Sequence, residues 1–342
     1  MISRSVSSRV LTNFNSYASR RDLNPAKLLA ECGLRRADAQ YQSPPVSFAD
    51  VEMLFERAAA VLKDDAFGLQ FALDPSDEYR CVEAEFAGNS ATLGEALRNL
   101  ARYFLLGTNA FDGDLTVSSR NAVFAFEFAS DSHPKPQIEG YIVGRLLVWI
   151  RKILRDDTYV PRRIEFQQSR PRQFAHYRTD LSTKILFNAP ATAVVFDRTS
   201  MDTPIPRADP VLFKKLAAIV EAKLRVHITS QRLIRDAQSK IIEILPRGRI
   251  TTSEIAAALR VSPRTFQRSL AVEGVKFREL LDDIRKAKAE HLLAETQLPL
   301  TEIAFQLGFS ELSAFSRAAK AWFGYSPQHM RDRLKQHTGT EH

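Results

Sequence analysis

Arg264, Gln267 and Arg268 fall within five residues of one another in the stretch SPRTFQRSL. With successive helical residues turned by about 100°, all three point away from Phe266 and Leu270. Arginine pairs bidentately with guanine O6/N7, and glutamine with adenine N6/N7. This face therefore has the chemistry to read base edges in a DNA major groove. Thr265 adds a hydroxyl to the same turn. A second outward set follows in Leu312, Ser313, Ser316 and Arg317. It is poorer in hydrogen-bonding groups, and Leu312 offers only apolar contact with thymine methyls or sugars. Looser sequence demands are expected there, with Arg317 meeting a phosphate or pairing with an acidic residue of the chain. Solvated helix faces carry similar residues, so the elements around these sets must decide.

Both sets sit in copies of one pattern. TTSEIAAALRVSPRTFQRSL (Thr251–Leu270) is repeated as LTEIAFQLGFSELSAFSRAAKAWFG (Leu300–Gly324). Glu254-Ile255-Ala256 aligns with Glu302-Ile303-Ala304, Leu259 with Leu307, Val261-Ser262 with Phe309-Ser310, Phe266 with Phe315, and Arg268 with Arg317. Each copy reads as a short amphipathic helix, a tight turn and a second helix, the outline of a helix-turn-helix. Ile255, Ala256, Leu259, Val261, Phe266 and Leu270 form the inward side of the first copy. Phe315, Ala319 and Trp322 do so in the second. Ser262 before Pro263 suits a helix start, and Ser310 is the expected cap of the second outward helix. Between the copies, Lys276 to Glu295 consists of strong helix formers, with an apolar stripe at Phe277, Leu280, Leu281, Ile284 and Ala287. Such a helix spans roughly 30 Å, against roughly 34 Å between major-groove faces on one side of B-DNA. It could hold two reading helices in adjacent turns. Lys276, Arg278, Lys286 and Lys288 either meet phosphates or form a solvated face.

Composition narrows the class. The 342 residues are 44% apolar and 26% charged, with a net charge of +8. Residues 240–342 carry 16 Lys+Arg against 12 Asp+Glu, half of that surplus in under a third of the chain. The excess suits a polyanionic partner but is too small to argue for one unaided. Two cysteines, Cys32 and Cys81, exclude a disulfide framework and fit a reducing cytosol. The N-terminus MISRSVSSRVLTNF lacks the apolar run of a signal peptide, and no stretch approaches the ~20 residues of a membrane span. A soluble, cytoplasmic protein with no membrane partner is expected. No phosphate loop, HExxH or Ser/His/Asp elbow occurs, and neither cysteine has a Cys or His close in sequence. An enzyme with a DNA-binding appendage, such as a DNA-repair alkyl transferase, is thereby disfavoured. His133 and His176 have no partner at metal-ligand spacing, and His337 and His342 lie in a polar tail, so no metal site and no cofactor are expected.

The first half reads differently. Residues 1–75 are helical, with Val51, Leu54, Phe55, Ala58, Ala59 and Leu62 at helical spacing behind Ser47. Thr92-Leu93-Gly94-Glu95 opens a further helix through Tyr103 as a capping box. Leu115–Ser119 and Ala122–Phe128 alternate around Arg120-Asn121 as a hairpin, Tyr141–Leu154 is helical, and Arg163–Gln167 and Ala193–Asp197 are strands. This predicts an α+β N-terminal domain with an antiparallel sheet over 1–205. A helical linker, 206–248, would open with the proline-rich DTPIPRADP and continue as two segments, about 211–227 and 231–245. The double helix-turn-helix domain, all-α with its two motifs joined by a long helix, would occupy 249–337. Phe86, Tyr103, Phe104, Phe124, Phe126, Phe128, Trp149, Phe166, Phe174, Tyr177 and Phe187 supply core and, for a minority, the wall of an apolar pocket. The segment Arg145–Arg178 holds nine Lys+Arg against three Asp+Glu. It attracts an anionic effector such as a carboxylate, adds to DNA contact, or forms a solvated surface.

Residues 250–335, with SPRTFQR followed by EIA…LGFS…FSRA…W-FG-SP…R, resemble the AraC/XylS-type bacterial transcription regulators. Ala319 departs from the Phe usual in that family and Met330 from its Tyr. The segments DLNPAKLLAECGL (Asp22–Leu34), DDAFGLQFA (Asp64–Ala72), TLGEALRNLARYF (Thr92–Phe104) and the ADP that ends the linker resemble a branch whose N-terminal domain is called arabinose-binding. Tyr79–Asn89 departs from that branch, which has a Gly/Leu-rich strand there. The resemblance implies a sequence-specific transcription regulator that binds double-stranded promoter DNA. It also implies contact with RNA polymerase and a small-molecule effector of unassigned identity in the N-terminal domain. A homodimer is expected by analogy. A constitutive regulator whose first half only dimerises is the alternative, and activation and repression are not distinguished.

Overall fold

The computed structural model describes residues 4–21, 23–35, 45–74, 81–128, 136–172 and 181–338, with side chains through 334. Two compact units emerge, residues 4–225 and the region from Val226 onward.

In the first unit, α1 (Arg9–Ser19), α2 (Pro25–Glu31), α3 (Phe48–Leu62), α4 (Phe67–Leu73), α5 (Val82–Gly88), α6 (Leu93–Tyr103) and α7 (Pro136–Leu154) surround a mixed sheet. Short strands β1 (Ser5–Val6) and β2 (Val46–Ser47) pair with each other. The main sheet has β3 (Phe111–Val117), β4 (Asn121–Phe128), β5 (Arg163–Glu165), β6 (Lys184–Leu186) and β7 (Thr192–Asp197) in the order β3-β4-β7-β5-β6. Pairing is antiparallel except for β5 with β6. The alternation of β4 turns Ala122, Phe124 and Phe126 into the core. Ser47 caps α3 by accepting from Asp50 N, as its spacing predicts. Thr92 caps α6, but Glu95 reaches Ala91 N at 3.0 Å, one residue before the position expected of a capping box. Gly68 lets α4 approach α7 closely: a Cβ there would lie 1.8 Å from the Gln137 carbonyl oxygen. Where the related branch has a strand, Val82–Gly88 is helical, because Cys81 caps it and Val82, Phe86 and Ala87 fall on one side.

The expected pair of linker helices is one helix, α8 (Pro210–Ile244). Asp209 explains its start: its carboxylate accepts from Val211 N and Leu212 N at 2.8 and 3.0 Å, ahead of Pro210 at the first position. No Pro or Gly interrupts Ile228-Thr229-Ser230, so the helix runs through. Residues of α8 up to 225 belong to the first unit, and those from Val226 to the second. Phe213, Leu216 and Val220 pack with Phe86 and Tyr103, while Ile234, Ala237 and Ile241 are core of the second unit.

The second unit is helical throughout its described residues. After α8 come α9 (Thr252–Ala258), α10 (Pro263–Val272), α11 (Phe277–Glu295), α12 (Leu300–Gln306), α13 (Leu312–Phe323) and α14 (Pro327–Thr338). Phe266, Leu280, Ile303, Phe315 and Ala319 share its core.

Candidate nucleic-acid interface

Each helix-turn-helix is built by the same turn. Thr251 Oγ1 accepts from Glu254 N, and the Glu254 carboxylate accepts from Thr251 N and Oγ1 at 2.7 Å each. These bonds start α9 and hold the Glu254 carboxyl below its usual range. α9 stops at Arg260, whose φ is +57°. There Arg260 N donates to Ala257 O and Val261 N to Ala256 O, both at 3.0 Å. α12 stops in the same way at Gly308, φ +75°, with Gly308 N to Phe305 O and Phe309 N to Ala304 O, both at 2.9 Å. These are paired Schellman turns. Their surroundings differ: a Cβ on Gly308 would lie 2.4 Å from the Leu245 carbonyl oxygen, whereas Arg260 is exposed. Glycine is thus demanded in one copy and dispensable in the other.

Ser262 caps α10, accepting from Thr265 N at 3.0 Å, and its Oγ lies 2.8 Å from Thr265 Oγ1. The Thr265 hydroxyl is engaged in the cap and half-buried. Arg264, Gln267 and Arg268 are exposed on one face while Phe266 and Leu270 are buried. Among the described residues none of these three polar side chains has a hydrogen bond or ion pair, so the whole fork of each arginine is available.

The second reading helix departs from expectation in two ways. Ser310 does not cap it; α13 begins one residue later, after Glu311 in extended backbone at φ −153°, ψ 152°. A cap side chain at 310 is one residue too early to reach the free N–H groups of the first turn. Leu312 is half-buried against the core, on the side it shares with Phe315 three residues on. Ser316 is also half-buried, which leaves Ser313 and Arg317 exposed. Arg317 Nη2 lies 4.0 Å from Glu311 Oε1, with the arginine side chain 73% exposed. That pair is weak.

α11 joins the motifs. Leu280, Leu281 and Ile284 are buried as predicted, but Ala287 is exposed, and the buried side continues through Ala289, Leu292 and Leu293. Arg285 was not singled out by its sequence context. Its Nε donates to Leu307 O at 3.0 Å, its guanidinium lies 4.8 Å from the Phe309 ring centroid, and burial lowers its pKa. Of the cations considered for phosphates, Lys276 Nζ is 3.0 Å from Glu279 Oε1 and Lys286 Nζ lies 5.8 Å from the Phe323 ring centroid. Arg278 is exposed and unpaired among the described residues, and Lys288 is half-buried. At the far end of α10, buried Glu273 meets His227 Nδ1 at 2.8 Å, which ties that helix to α8.

The first unit holds a cavity of about 200 Å³. Tyr103, Phe104, Phe126 and Trp149 of the expected aromatics line it; Phe86, Phe124, Phe128, Phe166 and Phe187 do not, and Phe174 and Tyr177 lie outside the described residues. Phe48, Phe55, Phe111 and Tyr141 also line it, and its polar wall includes Glu83 and Arg145. Arg145 comes from the basic segment 145–178, whose residues 173–178 are not described. Glu83 is 3.3 Å from Lys223 Nζ, and the Tyr103 hydroxyl donates to Glu221 at 2.5 Å, so two wall residues bind α8. Cys81 also lines the cavity, but burial pushes its thiol up to about 12, away from nucleophile chemistry. Among the described residues no His, Cys, Asp and Glu gather as a metal site; His133, His176, His337 and His342 lie outside those whose side chains are described. No described helix is long and apolar enough to cross a membrane.

Residues 23–205 match the family model described as the arabinose-binding domain of AraC transcription regulator, N-terminal, and residues 255–333 match a helix-turn-helix domain model. The HTH-type transcriptional regulator VirS of Mycobacterium tuberculosis is 30% identical over 297 residues, covering 84% of each chain. The ornithine utilization regulator of Pseudomonas aeruginosa is 25% identical over 319 residues, 89% of this chain and 93% of its own. Among solved structures, the transcriptional regulator CdpR from Pseudomonas aeruginosa covers 95% of this chain and 97% of its own at a TM-score of 0.44 and 19% identity.

Proposed function

The chain belongs to the AraC family of transcription regulators and is a DNA-binding regulator, and from that premise we propose that it answers to a small-molecule effector and reads two successive major grooves. The exposed Arg264, Gln267 and Arg268 face on α10 carries the first half of the reading. With 19 residues at about 1.5 Å each, α11 supplies a spacer of roughly 28 Å to the second motif. The two motifs play unequal parts. The first specifies bases, and the second, with Ser313 and Arg317 exposed, clamps the backbone.

Glu83 and Tyr103 support the effector half of the reading. They line the cavity and bind α8, the helix whose C-terminal half is core of the DNA-binding unit. An effector that displaced either side chain would shift the equilibrium of that helix. RNA polymerase contact and homodimerisation belong to this reading as expectations of the family. Footprinting of the full chain on the promoter beside its own gene tests the groove reading: two protected windows about 10 base pairs apart are expected, and a single window would contradict it. Output from that promoter unaltered by any filling of the cavity would favour the rival, a constitutive regulator whose first half only dimerises.

A further inference from the structure

The wall of the cavity in the first unit is built mainly of rings and aliphatic chains. Phe48, Phe55, Phe104, Phe111, Phe126 and Trp149 supply rings, and Ile138, Ile142 and Leu146 of α7 add aliphatic surface. The phenylalanines already meet at an angle. Phe104 and Phe111 have centroids 5.5 Å apart at 59°, and Phe104 and Phe126 lie 6.1 Å apart at 61°. Such tilted pairs bring the positive edge of one ring toward the negative face of another, so a further ring placed among them finds the same contacts. A cavity of about 150 Å³ lined by Leu, Ile and Phe takes benzene in another protein. One of about 200 Å³ has room for one ring with a short alkyl substituent.

The polar side chains of the lining are committed to the protein itself. Arg145 Nη1 donates to the Ala72 carbonyl at 3.5 Å and, like Tyr141, has a further partner. Glu83 is matched by Lys223 at 3.3 Å, and the Tyr103 hydroxyl donates to Glu221 at 2.5 Å. Trp149 Nε1 donates to Ala84 O at 3.2 Å, and Thr108 Oγ1 to Ser5 O at 3.0 Å. Ser7 Oγ accepts from Arg9 N and Cys81 Sγ from Ala84 N, both at 3.4 Å. A ligand with a charge or several hydroxyls would leave its own polar groups without partners or break these bonds, and either costs free energy. A sugar, with a hydroxyl on nearly every carbon, is the poorest fit. A carboxylate or an ammonium meets, among the described residues of the lining, only charged groups that are already engaged.

We propose that this cavity takes a small uncharged aromatic hydrocarbon, a single ring with at most a short alkyl chain, held by ring and aliphatic contacts alone. The proposal rests on the effector reading above and names the class of effector. Burial of apolar surface supplies the affinity, and the committed polar groups supply the selectivity against anything charged or hydroxylated.

The test uses the full chain. Toluene, ethylbenzene and propylbenzene are titrated beside benzoate, benzylamine and L-arabinose. Headspace partition reads the hydrocarbons, equilibrium dialysis the soluble probes, and the thermal midpoint all of them. At least one hydrocarbon binds at least tenfold more tightly than benzoate and benzylamine, and arabinose does not bind. Ala84→Phe fills the cavity and weakens that hydrocarbon at least tenfold. Leu100→Ala enlarges it and shifts preference from toluene toward naphthalene at least threefold. Benzoate, benzylamine or arabinose binding as tightly as the hydrocarbons would overturn the proposal, as would no binding by any hydrocarbon. So would binding that a folded Ala84→Phe chain retains in full, or a preference that Leu100→Ala leaves unmoved. If no hydrocarbon binds but Ala84→Phe, with DNA binding intact, alters promoter output, the ligand class falls and the effector reading stands. If a hydrocarbon binds and promoter output does not respond, the site stands and the effector reading falls. If no hydrocarbon binds and Ala84→Phe leaves output unaltered, both fall.

Discussion

The Nε–H of Arg285 donates to the carbonyl of Leu307 at 3.0 Å, so the helix joining the two motifs is fastened to the turn of the second. The same guanidinium covers the Phe309 ring, and the turn is fixed from two sides. Arg285→Leu keeps the apolar contact and strands the carbonyl of the buried Leu307. A loss of about 1–3 kcal/mol in urea unfolding is expected. A variant as stable as the wild type would show that the bond does not hold the turn.

The two reading helices predict different DNA phenotypes. Arg268→Ala should cost about 1–3 kcal/mol of affinity for the native promoter and relax the preference at one base pair. Arg317→Ala should weaken binding to all sequences alike and reduce the slope of log affinity against log salt by about one. Affinity measured on a panel of single-base promoter variants at several salt concentrations separates the two. Equal loss of sequence preference in both variants would reject the division into reader and clamp.

Gly308 and Arg260 occupy equivalent turns, yet only Gly308 faces a neighbouring backbone. Gly308→Ala puts a Cβ 2.4 Å from Leu245 O in a left-handed conformation, which for that backbone alone costs about 1–2 kcal/mol before the clash is counted. Arg260→Gly at φ +57° should change stability by less than about 1 kcal/mol. Paired chemical denaturation curves check the contrast.

Burial raises the Cys81 thiol from 9.0 to about 12 and the Tyr17 hydroxyl from 10.0 to about 12. Both groups favour the neutral form in the folded state. Their contribution is therefore complete below pH 9 and declines as pH rises toward 12. The thermal midpoint should fall across that window. At neutral pH, Cys81 should react with iodoacetamide about a thousandfold more slowly than a thiol of pKa near 9, the factor that three pH units of thiolate population imply. Rapid labelling of the folded chain would contradict the burial.

Much of the DNA-binding half is legible from residues alone. The EIA repeat, the Ser262-Pro263 start and the Arg264, Gln267, Arg268 spacing are local, and helix periodicity converts them directly into faces. Ser310 is not the cap because periodicity does not fix the residue at which a helix begins, and Leu312 is half-buried because three-residue spacing puts it only about 60° around the helix from the buried Phe315. Arg285 was invisible because nothing in FRELLDDIRKAK marks one cation as bonded to a carbonyl 22 residues away.

The sequence by itself determined the class of the protein, its two motifs and their unequal chemistry, since those depend on spacings of three and four residues. The tertiary structure decided which side chains surround the cavity, which cation joins its wall, and that α8 is one helix, held by Glu83 and Tyr103 at one end and, through its own His227, by Glu273 further along. Those contacts join residues far apart in the chain, and only packing brings them within hydrogen-bond reach.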